Sequence, residues 1–189
     1  MTAPVEIRPL VDLPAAVLGS LIVGYESAMR YAVSQTETPA QTVIALTLEP
    51  LARPYRKRWD PPDAALAEHY AGLPKLGFSL GAWAGEQWVG LALAEPRAWN
   101  KSLWVWEFHV AAEFQGRGVG RRLMAVLAER ARAAGLRTMV CETQNTNVPA
   151  IQFYRAVGFA LEGIDLSYYT NADLEPQGEV ALFMKRRLE

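Results

Sequence analysis

The stretch EFQGRGVGRRL, residues 113–123, places glycines at positions 116, 118 and 120 among three arginines and then runs into an amphipathic helix. Glycines at every second position let a backbone approach a ligand closely and adopt angles that a Cβ forbids. A helix N-terminus offers unpaired N–H groups and a partial positive charge, which suits a phosphate. Arg117, Arg121 and Arg122 supply further donors, of which only some can point at one ligand. A phosphate or pyrophosphate held at Gly116 to Gly120 is the reading that follows. The competing reading is a tight β–α turn whose glycines only ease packing.

Two phosphate motifs fail on the residues. A P-loop needs G-x-x-x-x-G-K-[ST], and no lysine followed by serine or threonine closes such a pair here. A dinucleotide fingerprint needs G-x-G-x-x-G; Gly116 and Gly118 match, but Arg121 occupies the third glycine position. Glu142 at the end of the next strand would suit a ribose-binding acid. The arginine nevertheless spoils the close helix–strand packing, and the motif follows the fourth or fifth strand rather than the first.

The rest of the chain frames that motif. Its 189 residues fit one domain, 51% are hydrophobic, and the formal net charge is −1. That balance gives no pull toward nucleic acid or an anionic membrane. No signal peptide is visible in MTAPVEIRPL, and PAAVLGSLIVG from Pro14 is too short to span a bilayer. The single cysteine, Cys141, excludes an internal disulfide and a thiolate zinc cluster, and no metal site is expected. A cytoplasmic protein is the simplest expectation.

Along the chain, VEIRPL reads as a strand, and Asp12 as the cap of a following helix with Pro14 in its first turn. Apolar residues recur at helical spacing from Leu18 to Val33. Residues 34 to 60 read as a loop with a short helix. PPDAALAEHYAGL is a helix stopping near Gly72, and GFSLGAWAGEQWVGLALAEP a hairpin turning at Gly85-Glu86. SLWVWEFHV is a β-prone strand, and RRLMAVLAERARAAGL a helix closed by Gly135. RTMVCET is a buried strand, NVPAIQFYRAVGF a helix ending at Gly158, and FALEGIDLSYY and EVALFMKRRL the last strands. The order is mixed α/β.

QGRGVG resembles the Q/R-x-x-G-x-G/A acetyl-CoA pyrophosphate loop of the GNAT N-acetyltransferases. NVPAIQFYRAVGF resembles the second block of that family, N-x-x-A-x-x-F-Y-x-x-x-G-F. Both stand in family order, separated by one helix and one strand. From about residue 104 to 187 the likeness extends to the streptothricin acetyltransferase branch of the superfamily. The resemblance implies one GNAT domain over residues 1–189. It also implies a central mixed sheet of six to seven strands, splayed at the cofactor site, with about four flanking helices.

It further implies acetyl-CoA as co-substrate and site residues at matching positions. Backbone groups of Phe108 and Val110 would pair with the pantetheine arm. Gln115, Gly116, Arg117, Gly118, Val119 and Gly120 would hold the pyrophosphate, with Arg121 adding a contact. Asn147 would bond the cofactor arm, and Tyr154 is the candidate acid for the leaving thiolate. A phenol near its reference pKa of about 10 can give and recover that proton. Residue by residue, Tyr154 also reads as a core aromatic, Asn147 as a helix N-cap and Cys141 as inert core.

Glu107 and His109 are two apart on their strand and share a face unless a bulge intervenes. Either can serve as the base, and Glu107 is the preferred acidic residue. The streptothricin branch carries two adjacent acids here, whereas this chain has Trp106 beside Glu107. For the acceptor, the regions Met29 to Asp60, Trp99 to Trp106 and Asp165 to Glu179 are expected, with RPYRKRW at 53–59 read as a solvated loop.

The expected activity is acetyl transfer from acetyl-CoA to a primary amine of a small molecule, by direct attack in a ternary complex. The expected protein is a monomer or homodimer without nucleic-acid or membrane partners. Two other readings stay open: an antibiotic-detoxifying enzyme for streptothricin-like or aminoglycoside-like drugs, and a non-catalytic acyl-CoA sensor.

Overall fold

The computed structural model describes residues 4–188. Its elements run β1 (Val5–Pro9), α1 (Ala15–Leu21), β2 (Tyr25–Thr38), β3 (Gln41–Lys57), α2 (Ala64–Gly72), β4 (Leu80–Ala84) and β5 (Gln87–Arg97). They continue with β6 (Ser102–Val110), α3 (Val119–Ala133), β7 (Thr138–Gln144), α4 (Val148–Ala156), β8 (Ala160–Asp165) and β9 (Ala181–Arg187). A seven-stranded mixed sheet has the order β1-β4-β5-β6-β7-β9-β8, and β2 and β3 form a separate ribbon. The mixed α/β expectation, with up to seven sheet strands and four helices, holds. Two compact units divide the chain. Among the described residues, one comprises 4–23, 59–141 and 186–188, the other 24–58 and 142–185.

In the first unit, β5 is buried along most of its length, as its near-continuous apolar run VGLALA requires. Leu91 and Leu93 join Leu10, Val17, Leu18, Leu21, Tyr70 and Leu73 in one core cluster. Ala82 and Val89 join Phe114 and Val119 in another. Val89 is the extra residue of a bulge, since Ala82 pairs with Gly90 and Trp83 with Trp88. Helix α3 buries Val119, Leu123, Met124, Leu127, Ala128 and Ala131, a stripe at helical spacing. Arg130 and Arg132 in its last turn complement the helix dipole.

In the second unit, β2 and β3 are registered from Tyr25↔Lys57 to Thr38↔Gln41, with one irregularity between Ser27 and Met29. This replaces both the helical reading up to Val33 and the loop expected over 34–60. The apparent helical spacing runs across Gly24, whose φ is 105° and whose added Cβ would lie 2.0 Å from the Lys57 carbonyl oxygen. Beyond it, the Ser-, Thr- and Val-rich segments favour strands, and Pro39-Ala40 closes a two-residue turn. The basic run at 53–59 therefore lies largely in β3 rather than in a solvated loop.

Two smaller expectations also change. Pro14, not Asp12, is the N-cap of α1, and no side chain caps it. The strand expected to reach Tyr169 stops at Asp165, whose Oδ1 accepts the Ser167 N–H at 3.0 Å and diverts the backbone into a turn. Asp173, 2% exposed, then holds the N–H groups of Tyr169 and Thr170.

Asn145 ties this unit together. Its side chain donates to the Tyr31 carbonyl at 2.8 Å and accepts from the Val180 N–H at 2.8 Å. Its backbone bonds the same two residues at 2.9 Å each. Asn145→Ala strands a carbonyl and an N–H in the interior, and an unmet buried group costs about 1–3 kcal/mol. Urea titration is expected to show a loss of about 3 kcal/mol for that variant. Asn145→Asp, which keeps the acceptor for Val180 but loses the donor to Tyr31 and buries a charge, should lose at least as much.

Candidate active site

The quoted turn sits where β6 gives way to α3. Gly116 and Gly118 have φ of 70° and 81°, the left-handed region, and a Cβ on either would meet nothing within 4 Å. Clearance toward solvent and backbone angle, not internal packing, call for glycine at these two positions. Gly118 is the N-cap of α3, and no side chain caps that end. Its leading N–H groups are thus in the arrangement that an anion satisfies. Val119 is 3% exposed, so its side chain belongs to the core and only its backbone faces the turn. Arg117 stacks over Phe114 at 5.6 Å, and Arg122 donates to the Val5 carbonyl at 3.0 Å. Gln115 folds back on β6, its amide donating to the Val110 carbonyl at 2.9 Å.

Strand β6 carries the titratable pair. Its parallel register with β7 covers four residues, Ser102 to Val105, and β6 runs five residues further. Against β5, Leu93 pairs with Glu107 and Ala94 with Val105, which leaves Trp106 as the extra residue of a bulge. The bulge precedes Glu107, so Glu107 and His109 keep a common face. His109 Nε2 lies 2.6 Å from Glu107 Oε2, with side-chain exposures of 20% and 18%. The other carboxylate oxygen accepts the hydroxyl of Tyr70, from α2. Trp106 donates its indole N–H to Glu95 at 2.9 Å and meets His69 edge-on at 4.6 Å. His69 Nε2 is buried with no hydrogen-bond partner among the described residues. An open cavity of about 470 Å³ is lined by Glu68, His69, Leu73 and Glu95, among others.

In the second unit, Asn147 caps α4, its Oδ1 accepting the Ala150 N–H at 3.2 Å. Tyr154 is 7% exposed and stacks between Phe153 and Phe159 at 5.7 and 5.5 Å. Cys141, in the first unit, is buried, as an inert core thiol should be.

The second unit also holds a phenol–carboxylate cluster. The hydroxyls of Tyr25 and Thr146 lie 2.9 and 2.7 Å from Glu179 Oε1, and Lys57 pairs with Glu179 Oε2. Burial pulls the Glu179 carboxyl up, but the bonds from Lys57, Thr146 and Tyr25 outweigh it and leave it below its ordinary value. Burial and the neighbouring Glu179 push Tyr55 up to about 12. Tyr25 is raised further, again chiefly by burial. Nearby, Tyr169 donates to Glu142, and burial together with that carboxylate raises the phenol.

The sequence profile of the acetyltransferase (GNAT) family matches residues 45–159. The chain belongs to that family. A streptothricin acetyltransferase of Streptomyces lavendulae is 40% identical over 96 residues, 51% of this chain and 50% of that protein. The chain spans half or less of the length of the curated relatives it matches. The structure of a nourseothricin acetyltransferase is 26% identical, with 98% of this chain and 99% of that one covered at a TM-score of 0.74. A structure from Bacillus anthracis str. Ames, in complex with acetyl coenzyme A, is 23% identical at a TM-score of 0.73, over 97% and 99% of the two chains. At that identity it speaks for the fold. The uncapped start of α3 with its two left-handed glycines fits a pyrophosphate.

Within this GNAT chain, the structure brings Glu107 and His109 into contact and gathers Gln115 to Gly120 into one turn. Arg122 is committed to β1 and not to the turn. Sequence reasoning missed Tyr70, Glu95, Tyr25 and Thr146, and had Lys57 only as part of the basic run at 53–59. A single tyrosine in a helix, or a lysine in a strand, carries no local signal of its distant partner. Glu179 entered only as the edge of an expected acceptor region. Among the described residues no group of three or more His, Cys, Asp or Glu gathers to hold a metal ion, and no helix is long and apolar enough to cross a membrane.

The depressed Glu179 carboxyl links stability to pH. Its folded value lies below the ordinary 4.5, so its contribution is complete above that pH and is lost as pH falls through the folded value. Stability measured between pH 6 and about 3 should therefore fall less steeply for Glu179→Gln than for the natural protein. Parallel curves would remove Glu179 from this linkage.

Proposed function

We propose that residues 1–189 form one acetyltransferase domain that moves the acetyl group of acetyl-CoA to a primary amine of a small molecule by direct attack in a ternary complex. One observation carries this reading beyond cofactor binding. The strand that leads into the glycine turn presents a part-exposed imidazole–carboxylate pair at 2.6 Å, the equipment for removing a proton from an ammonium group.

Acetyl-CoA supplies an activated thioester carbonyl. The turn from Gln115 to Gly120 holds its pyrophosphate with backbone N–H groups, and Arg121 adds charge. The Glu107–His109 pair takes the proton that makes the acceptor amine nucleophilic. The nitrogen then forms its bond to the carbonyl carbon as the carbon–sulfur bond breaks, and it loses its second proton to solvent as the neutral amide forms. Tyr154 gives the departing thiolate a proton and later recovers it, a role carried by the family resemblance, as are those of Phe108, Val110 and Asn147. The protein acts in the cytoplasm as a monomer or homodimer, without nucleic acid or membrane.

A second reading, a streptothricin-like drug as acceptor, is favoured by the 40% identity to the Streptomyces enzyme. Trp106 stands where that branch has a second acid, yet its indole draws Glu95 alongside.

Free-thiol release from acetyl-CoA against streptothricin, aminoglycosides, polyamines, amino acids and peptides, with calorimetric acetyl-CoA binding, tests both readings. Turnover of one amine class is expected, and acetyl-CoA binding without turnover on any amine would favour a sensor. Gly118→Asp puts a carboxylate and a strained backbone at the pyrophosphate turn and should weaken acetyl-CoA binding by tenfold or more. Tyr154→Phe should lower kcat by about a hundredfold with acetyl-CoA binding kept; full turnover would remove the acid role.

A further inference from the structure

We infer that Tyr70 is a positioning residue which, through Glu107, fixes the tautomer of His109 and so makes its Nδ1 the proton acceptor for the incoming amine. This rests on the acetyltransferase reading above and deepens it.

Tyr70 is 5% exposed and lies in the apolar cluster around Leu91 and Leu93. A buried phenol hydroxyl needs a partner, and Tyr70 donates to Glu107 Oε1. The other oxygen, Oε2, is 2.6 Å from His109 Nε2. Both oxygens of Glu107 are thus engaged by donors. A carboxylate has two oxygens, and here one meets Tyr70 and the other His109. As an acceptor-only anion it obliges His109 to carry its proton on Nε2, which leaves the lone pair on Nδ1. When Nδ1 takes the proton of the acceptor ammonium, the imidazolium faces the Glu107 charge. Tyr70 keeps that charge in place without touching the reacting atoms. The bulge at Trp106 is what puts Glu107 on the Tyr70 side of the sheet.

The test uses the full-length protein and the amine that gives best turnover. With only two histidines in the chain, a ¹⁵N imidazole spectrum is assigned from a single His109→Gln variant. The natural protein is expected to show neutral His109 as the Nε2–H tautomer, and a dominant Nδ1–H tautomer would overturn the inference without any Tyr70 variant being made. Tyr70→Phe keeps the ring and removes the oxygen. It should mix the His109 tautomers and lower kcat by about tenfold, with KM for acetyl-CoA unchanged. In a Glu107→Gln background the same change should cost nothing further. Equal losses in both backgrounds, or none in either, would overturn it. Failure of the natural protein to turn over any amine is a different result, and would count against the acetyltransferase reading itself.

Discussion

One extra residue in β6 decides which way the side chains beyond it face. In an unbroken strand Val105, Glu107 and His109 would all point the same way. Trp106, inserted without an opposite residue, reverses that relation. Val105 stays in register with Ala94, while Glu107 and His109 share the face of Leu93 and Leu91. Glu107 and His109 are thereby set on the face opposite Val105. Bulges raise local twist and re-aim side chains, and this one lies directly before Glu107 and His109. The second bulge, at Val89, performs a similar sorting for β5 and lets Trp88 and Val89 serve different clusters.

The Glu107 setting shows why a buried phenol matters more than its position in α2 suggests. An aromatic ring contributes by area to the cluster around Leu91, but its hydroxyl has to be satisfied. Meeting that demand with a carboxylate rather than a carbonyl couples packing to the electrostatics of the site. Truncating the ring would open a cavity, whereas removing the oxygen alone leaves the packing and changes only the hydrogen bonding.

In the second unit the organising groups are polar. Asn145 joins Tyr31 and Val180 through four bonds, two from its side chain and two from its backbone. Glu179 gathers Lys57, Tyr25 and Thr146 around one carboxylate whose side chain is 10% exposed. Such a carboxylate is tolerable only because each oxygen finds donors. The long β2–β3 ribbon needs anchors of this kind, since a two-stranded hairpin is marginal in water.

The sequence by itself determined the central strands, the helices α2 to α4 and the glycine turn before α3. Each of these is written in local patterns: a glycine spacing, a helical stripe, a β-branched run. The family blocks around Gly118 and Tyr154 were legible for the same reason. Only tertiary structure decided the rest. Residues 25–57 carry spacing compatible with helix or strand, and the cross-strand register with Gly24 at its base settled them as a ribbon. The Trp106 bulge is a mismatch between two strands, which neither strand displays alone. Tyr70 and Glu107 are 37 positions apart, and Lys57 and Glu179 are 122 apart. No local pattern announces a partner at such distance, because hydrogen bonds between side chains depend on where the folded backbone puts them.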